Sequence, residues 1–143
     1  ISTCSLRVFS AYGPGLKKQL FWDIYQKSIG SKTIDLFGSG NEIRDFIFIT
    51  DVLRAIEIVI ANNLFDGRCI NVASGIGLTI DQVSKLFVKL IRPHLEIVFN
   101  GQVKRGDPIS LQADISLLKS CGFLANTEIE DGLKKYLEWI ERI

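Results

Sequence analysis

Gly38-Ser39-Gly40-Asn41-Glu42-Ile43-Arg44-Asp45-Phe46-Ile47-Phe48-Ile49-Thr50-Asp51 is the stretch around which this chain is organised. It opens on Gly-Ser-Gly, a turn signal. It closes on an apolar run, Phe46 to Ile49, which reads as a buried strand. Arg44 and Asp45 sit at the mouth of that strand. A charge there must be paired or solvated, so the arginine is not present for packing alone. Two readings are level at this point. Arg44 and Asp45 pair to close the strand end, or Arg44 binds a ligand.

Working outward, strand and helix patterns alternate. Thr3 to Phe9 is a β-prone run that ends at a Tyr-Gly-Pro-Gly turn. Leu16 to Ile29 carries apolar residues at helical spacing, and Gly30 stops it. Thr33 to Phe37 alternates as a strand. Thr50 to Asn62 is helical and apolar nearly all round, which predicts heavy burial. Cys69 to Ala73 is a strand ending in a Ser-Gly turn. Thr79 and Gln82 have capping-box spacing at the start of a helix with the stripe Ile80, Val83, Leu86, Phe87 and Leu90. Glu96 to Phe99 is a short strand. Asp114 is placed to cap a short helix that Gly122 terminates, and Asp51 is also read as a cap. Thr127 and Glu130 repeat the capping-box spacing before a last helix that buries Ile129, Leu133, Tyr136, Leu137 and Ile140. Alternation of this kind predicts an α/β architecture with mixed, mostly parallel strands and flanking helices. The 143 residues are expected to form a single unit. The longest irregular stretch, Asn100 to Ala113, is a candidate functional loop.

Composition narrows the function classes. Hydrophobic content is 47% and charged content 23%, which suits a globular core and argues against disorder. Net charge is +1, so no bulk field draws nucleic acid or an anionic membrane. No apolar run approaches the ~18 residues of a transmembrane helix. Cys4, Cys69 and Cys121 are widely spaced and odd in number, which predicts buried reduced thiols in a cytoplasmic protein. His94 has no ligand partner at metal spacing and is read as a surface residue. Gly13-Pro14-Gly15-Leu16-Lys17-Lys18 lacks the Gly-Lys-Ser/Thr ending of a phosphate loop. Triad hydrolysis has no support either.

Three stretches together carry a resemblance. The central Gly-x-Gly-x-x-x-Arg-Asp-Phe-Ile-x-x-x-Asp is similar to the second half of the NAD-dependent sugar-nucleotide epimerase/dehydratase family, the extended short-chain dehydrogenases. Arg7-Val8-Phe9-Ser10-Ala11-Tyr12-Gly13-Pro14-Gly15 resembles that family's Arg-x-Phe-Asn-x-Tyr-Gly-Pro-Gly. Lys104-Arg105-Gly106-Asp107-Pro108, followed by Asp114, resembles its Arg-x-Gly-Asp segment. Asn71 to Gly75 and the ending from Gly122 to Ile140 agree as well. The resemblance implies the C-terminal portion of a Rossmann-type enzyme: the last strand or strands of the nucleotide fold plus a sugar-nucleotide-binding region, with the N-terminal NAD-binding half absent.

It also implies a substrate-binding set. A diphosphate needs fixed positive charge, and an arginine fork donates two parallel bonds to it. Arg44 and the Lys104-Arg105 pair lie where the family holds the nucleotide diphosphate. The family's arginine at the second place aligns with Lys104, a point charge rather than a fork. Asp107 is either a turn-forming residue or an acceptor for ribose hydroxyls. Ser10 replaces the family's usual Asn beside the reacting sugar; it is shorter, so its contact is lost or made through water. Asp45 is expected to orient Arg44. Tyr12, Leu20, Phe21 and Trp22 are read as packing residues.

The family's chemistry rests on a Tyr-x-x-x-Lys pair that assists hydride transfer to the nicotinamide. The residues four after Tyr12, Tyr25 and Tyr136 are Leu16, Ile29 and Ile140. No Gly-rich pyrophosphate turn is present either. NAD or NADP therefore belongs to a longer parent, and this chain alone is expected to hold no cofactor and to be inactive. The expected partners are a nucleoside-diphosphate sugar and the N-terminal half, with homo-oligomer formation in the parent. The alternative is a non-catalytic nucleotide-sugar-binding or protein-interaction module.

Overall fold

A computed structural model describes residues 1–102 and 106–143. β1 (Thr3–Val8) lies parallel to β5 (Asp66–Val72), with Ser5 opposite Cys69 and Arg7 opposite Asn71. The chain then changes partners within two residues. The Phe9 N–H still reaches Val72 O at 3.0 Å, but β2 (Ser10–Tyr12) runs parallel to β4 (Ile43–Phe48). The strand read over Thr3 to Phe9 is thus β1, and β2 lies beyond it, in a second sheet. β4 also pairs antiparallel with β6 (Gly77–Thr79) and parallel with β8 (Ser110–Leu111). β3 (Thr33–Leu36) runs parallel to β7 (Glu96–Phe99). The expected α/β architecture with mostly parallel pairing is observed. β2, β6 and β8 are additions that the sequence pattern did not reveal.

Two cores flank β4. One gathers α1 (Gln19–Ser28), α3 (Ile80–Ile91) and α5 (Ile129–Ile140) against β2, β3 and β4. Phe21 is its centre. Its ring lies 5.2 Å from Tyr12, 5.2 Å from Phe46 and 5.4 Å from Phe87, spacings that favour tilted and edge-on aromatic contact. α3 begins as expected: Gln82 N–H donates to Thr79 Oγ1 at 3.1 Å, and Thr79 N–H donates to Gln82 Oε1 at 2.9 Å. The second core lies under β1 and β5, covered by α2 (Ile49–Ala61) and α4 (Ser116–Ser120).

Several expectations are corrected. α2 buries Val52, Ala55 and Val59 but leaves Leu53 54% and Ile60 59% exposed, so its all-round hydrophobicity does not mean all-round burial. Thr127 and Glu130 form no capping box; Glu128 is the α5 N-cap, and the Thr127 N–H donates instead to Asp51 Oδ2 at 3.0 Å. Asp51 also accepts the Asn126 N–H at 3.1 Å and Arg54 Nη1 at 3.2 Å. It therefore ties the entry of α5 to the first turn of α2 rather than capping its own helix. Cys69 is exposed and Cys4 and Cys121 are half-buried, all three as free thiols. Asp114 does take the Ser116 N–H, at 2.9 Å, at the start of α4. His94 is exposed. No helix of the described residues is long and apolar enough to cross a membrane.

Candidate functional site

A cleft of about 880 Å³ opens between β2, the start of α1, one face of β4 and residues 107–111. The alternation of β4 decides what it contains. Glu42, Arg44 and Phe46 face the cleft, while Asp45 and Ile47 point the other way into burial. Ser10 and Tyr12 of β2 complete the floor beside Phe46 and Phe21. One wall carries Lys18, Gln19 and Leu20 of the α1 entry. The opposite wall carries Asp107, Ile109 and Leu111. Ser10, Arg44 and Asp107, which are 97 residues apart at the extremes, therefore share one cavity. Lys104 and Arg105 lie outside the described residues.

The Arg44 guanidinium is held by its Nη1, which donates at 2.8 Å to both Ile43 O and Pro108 O. It has no carboxylate partner among the described residues. The pair with Asp45 does not form, because adjacent strand residues project to opposite faces. Asp45 does not orient Arg44 directly either. It faces the turn after β5, where it accepts from Ser74 and Gly75.

Three other charges in the cleft, Asp23, Lys27 and Glu42, are already committed. Lys27 pairs with Asp23 at 2.7 Å and donates to Asp35 O at 2.9 Å. Glu42 folds back into the Gly-Ser-Gly turn, accepting the Ser39 N–H at 2.9 Å, the Gly40 N–H at 2.9 Å and the Ser39 hydroxyl at 3.0 Å. These bonds, the Ser39 N–H foremost, hold its carboxyl below the usual glutamate range. The turn is thus filled by the chain's own carboxylate. Burial, reinforced by Asp51 and Asp131, pushes the Tyr12 phenol well above its ordinary value, and burial pushes Tyr136 up to about 12. Neither offers a phenolate near neutral pH. Lys18 is a cleft residue that sequence reasoning passed over; the signal was present, as Lys17-Lys18 immediately precede α1. Phe21 belongs to the core as expected, and it also floors the cleft.

The chain resembles known proteins in sequence and fold. Residues 1–73 match the model of the NAD dependent epimerase/dehydratase family, and the chain belongs to that family. A Bacillus subtilis protein described as the uncharacterized UDP-glucose epimerase YtcB is 24% identical over 140 residues, which are 96% of this chain and 44% of that protein. UDP-glucuronate 4-epimerase 4 of Arabidopsis thaliana is 23% identical over 156 residues, covering 97% of this chain and 36% of that protein. MoeE5, solved with UDP-glucuronic acid and NAD, superposes with a TM-score of 0.85 at 27% identity, over 99% of this chain and 48% of that one. A UDP-glucuronic acid 4-epimerase from Bacillus cereus, solved with UDP-glucuronic acid and NAD, gives 0.85 at 24% identity, over 96% and 44%. The fold is that of Rossmann-type epimerases, matched as a C-terminal portion. The chain spans about half the length of these relatives or less.

Proposed function

We propose that this chain is the nucleotide-sugar-binding portion of an NAD(P)-dependent sugar-nucleotide epimerase or dehydratase. The observation that carries the reading is Arg44: one nitrogen is pinned to two backbone carbonyls, and the guanidinium faces a cleft shared with Ser10 and Asp107. Pinning lowers the entropy lost when the remaining donors meet a diphosphate. In this reading Arg44 holds the diphosphate, with Lys104 and Arg105 adding positive charge. Asp107 accepts from ribose hydroxyls, and Ser10 stands at the sugar end. β1 and β5 are the last strands of the nucleotide fold, whose dinucleotide-binding half is supplied by the longer parent. Hydride chemistry resides there too, since no Tyr here has a Lys four residues on.

The bound molecules of MoeE5 and of the Bacillus cereus enzyme make a uridine diphosphate the first probe. Calorimetric titration of the 143-residue chain with UDP should give saturable binding. Arg44→Ala should weaken it at least tenfold, because a hydrogen bond to a charged group is worth ~1.5–3 kcal/mol. Unchanged affinity in that variant would sink the assignment.

A further inference from the structure

Asp45 is fully buried at 0% exposure. A carboxylate taken out of water without partners is strongly disfavoured, so its surroundings must be built around it. They are. Oδ1 accepts the Ser74 hydroxyl at 2.7 Å, the Ser74 N–H at 2.9 Å and the Gly75 N–H at 3.2 Å. Oδ2 accepts the Gly75 N–H at 3.1 Å and the Ala113 N–H at 3.2 Å. No lysine or arginine pairs with it among the described residues.

These donors come from two separate segments. Ser74 and Gly75 form the turn between β5 and β6. Ala113 ends a strap, residues 106–113, which carries Asp107, Ile109 and Leu111 along the cleft wall. The strap is laid along β4 by other bonds as well. Ile43 N–H donates to Ile109 O at 2.9 Å, Arg44 Nη1 donates to Pro108 O at 2.8 Å, and β8 pairs Leu111 with Arg44. Gln112 Nε2 donates to Gly75 O at 3.0 Å, joining strap to turn. Asp45 gathers turn and strap at one point of β4, one residue from Arg44 and on the opposite face.

We infer that Asp45 is a positioning residue of the cleft: by clamping the Ser74–Gly75 turn and the Ala113 end of the strap, it sets where Asp107 stands relative to Arg44. The inference rests on the nucleotide-binding reading above. Asp45 itself touches no ligand. Its effect passes through the strap, whose Pro108 carbonyl also fixes the arginine. An asparagine here would keep the volume, but its NH₂ would confront N–H groups that need an acceptor.

The test uses the 143-residue chain as wild type, Asp45→Asn, Ser74→Ala and Arg44→Ala. UDP affinity is measured by calorimetry across a salt series, and amide hydrogen exchange is measured without ligand. Asp45→Asn should weaken UDP binding about tenfold and speed exchange in the strap and the turn alone, while its salt dependence stays that of wild type, since Arg44 keeps its charge. Arg44→Ala should instead flatten the salt dependence. Wild-type affinity in folded Asp45→Asn, or exchange raised evenly over the whole molecule, would overturn the inference. If Asp45→Asn does not fold, Ser74→Ala decides: a smaller loss in the same direction supports the clamp, and unchanged affinity removes it. If wild type binds no UDP, the nucleotide reading fails, and strap exchange in Asp45→Asn alone decides whether the clamp exists.

Discussion

Gly132, in the first half of α5, supplies the sharpest packing test. A Cβ added there would lie 2.1 Å from Tyr12 Oη, 2.8 Å from Tyr12 Cζ and 3.1 Å from Phe48 Cδ2. Two effects of Gly132→Ala oppose each other. A helix interior gains ~1 kcal/mol when Gly becomes Ala. Overpacking a filled core costs ~1–3 kcal/mol. The winner depends on whether Tyr12 can move aside. Its ring is 4% exposed and lies edge-on to Phe21 at 5.2 Å and Phe48 at 5.4 Å. Its hydroxyl donates to Ile129 O at 3.3 Å. Walled on these sides, it has little room, so we expect net destabilisation of about 1–2 kcal/mol in urea unfolding followed by circular dichroism. Tyr12→Phe removes the nearest atom and loses one long hydrogen bond, about 1 kcal/mol. In that background the Cβ still meets the ring carbon at 2.8 Å but loses its nearest contact. Gly132→Ala should then cost less, the remaining crowding being offset by the helix gain, and the coupling in the double-mutant cycle should be about 1 kcal/mol. Stabilisation by the full helix gain, or an equal cost in both backgrounds, would refute the reasoning.

Two further predictions concern single polar groups. Ser84 is fully buried in α3, and its hydroxyl has no hydrogen-bond partner among the described residues. Ser84→Ala should therefore stabilise the chain by about 1 kcal/mol in the same assay, as it removes an unsatisfied group and improves helix propensity; destabilisation would show that the hydroxyl is used. Glu42 has its pKa lowered in the folded state, so its contribution is complete above the ordinary glutamate value and is lost as pH falls through the lowered one. The stability gap between wild type and Glu42→Gln should be open at neutral pH and close on acidification below about pH 4. A gap that widens on acidification would contradict the bond set at Ser39 and Gly40.

What could be read in the sequence was local. The stripes of α1, α3 and α5 recur every three or four residues, and the Thr79–Gln82 box closes within one turn. The apolar run of β4 was legible for the same reason. What could not be read depends on partners far away in the chain. β2, β6 and β8 are two or three residues long and exist as strands because β4 lies beside them. Thr127 and Glu130 have cap spacing, yet the buried Asp51 carboxylate, 76 residues away, takes the Thr127 N–H instead. Arg44 and Asp45 looked like a pair because they are neighbours; in a strand, neighbours are the residues least able to meet. Ser10, Arg44 and Asp107 were singled out by resemblance, and topology brings them to one cleft.

The functional weight of β4 follows from its register. Glu42, Arg44 and Phe46 face the cleft, whereas Asp45 and Ile47 face packed protein. A slip of one residue would exchange the sets, burying a guanidinium among N–H donors and presenting a carboxylate to the cleft. Both changes are unfavourable, so the same contacts that fix the strand also fix which charge the cleft displays. Asp45 enforces this from behind, since its five contacts with Ser74, Gly75 and Ala113 are satisfied in one register only. Arg44 enforces it from the front, through Pro108 O. The adjacent Arg-Asp is therefore not an ion pair but two opposite charges turned apart, one facing the cleft and one bonded to the Ser74–Gly75 turn and Ala113 behind it.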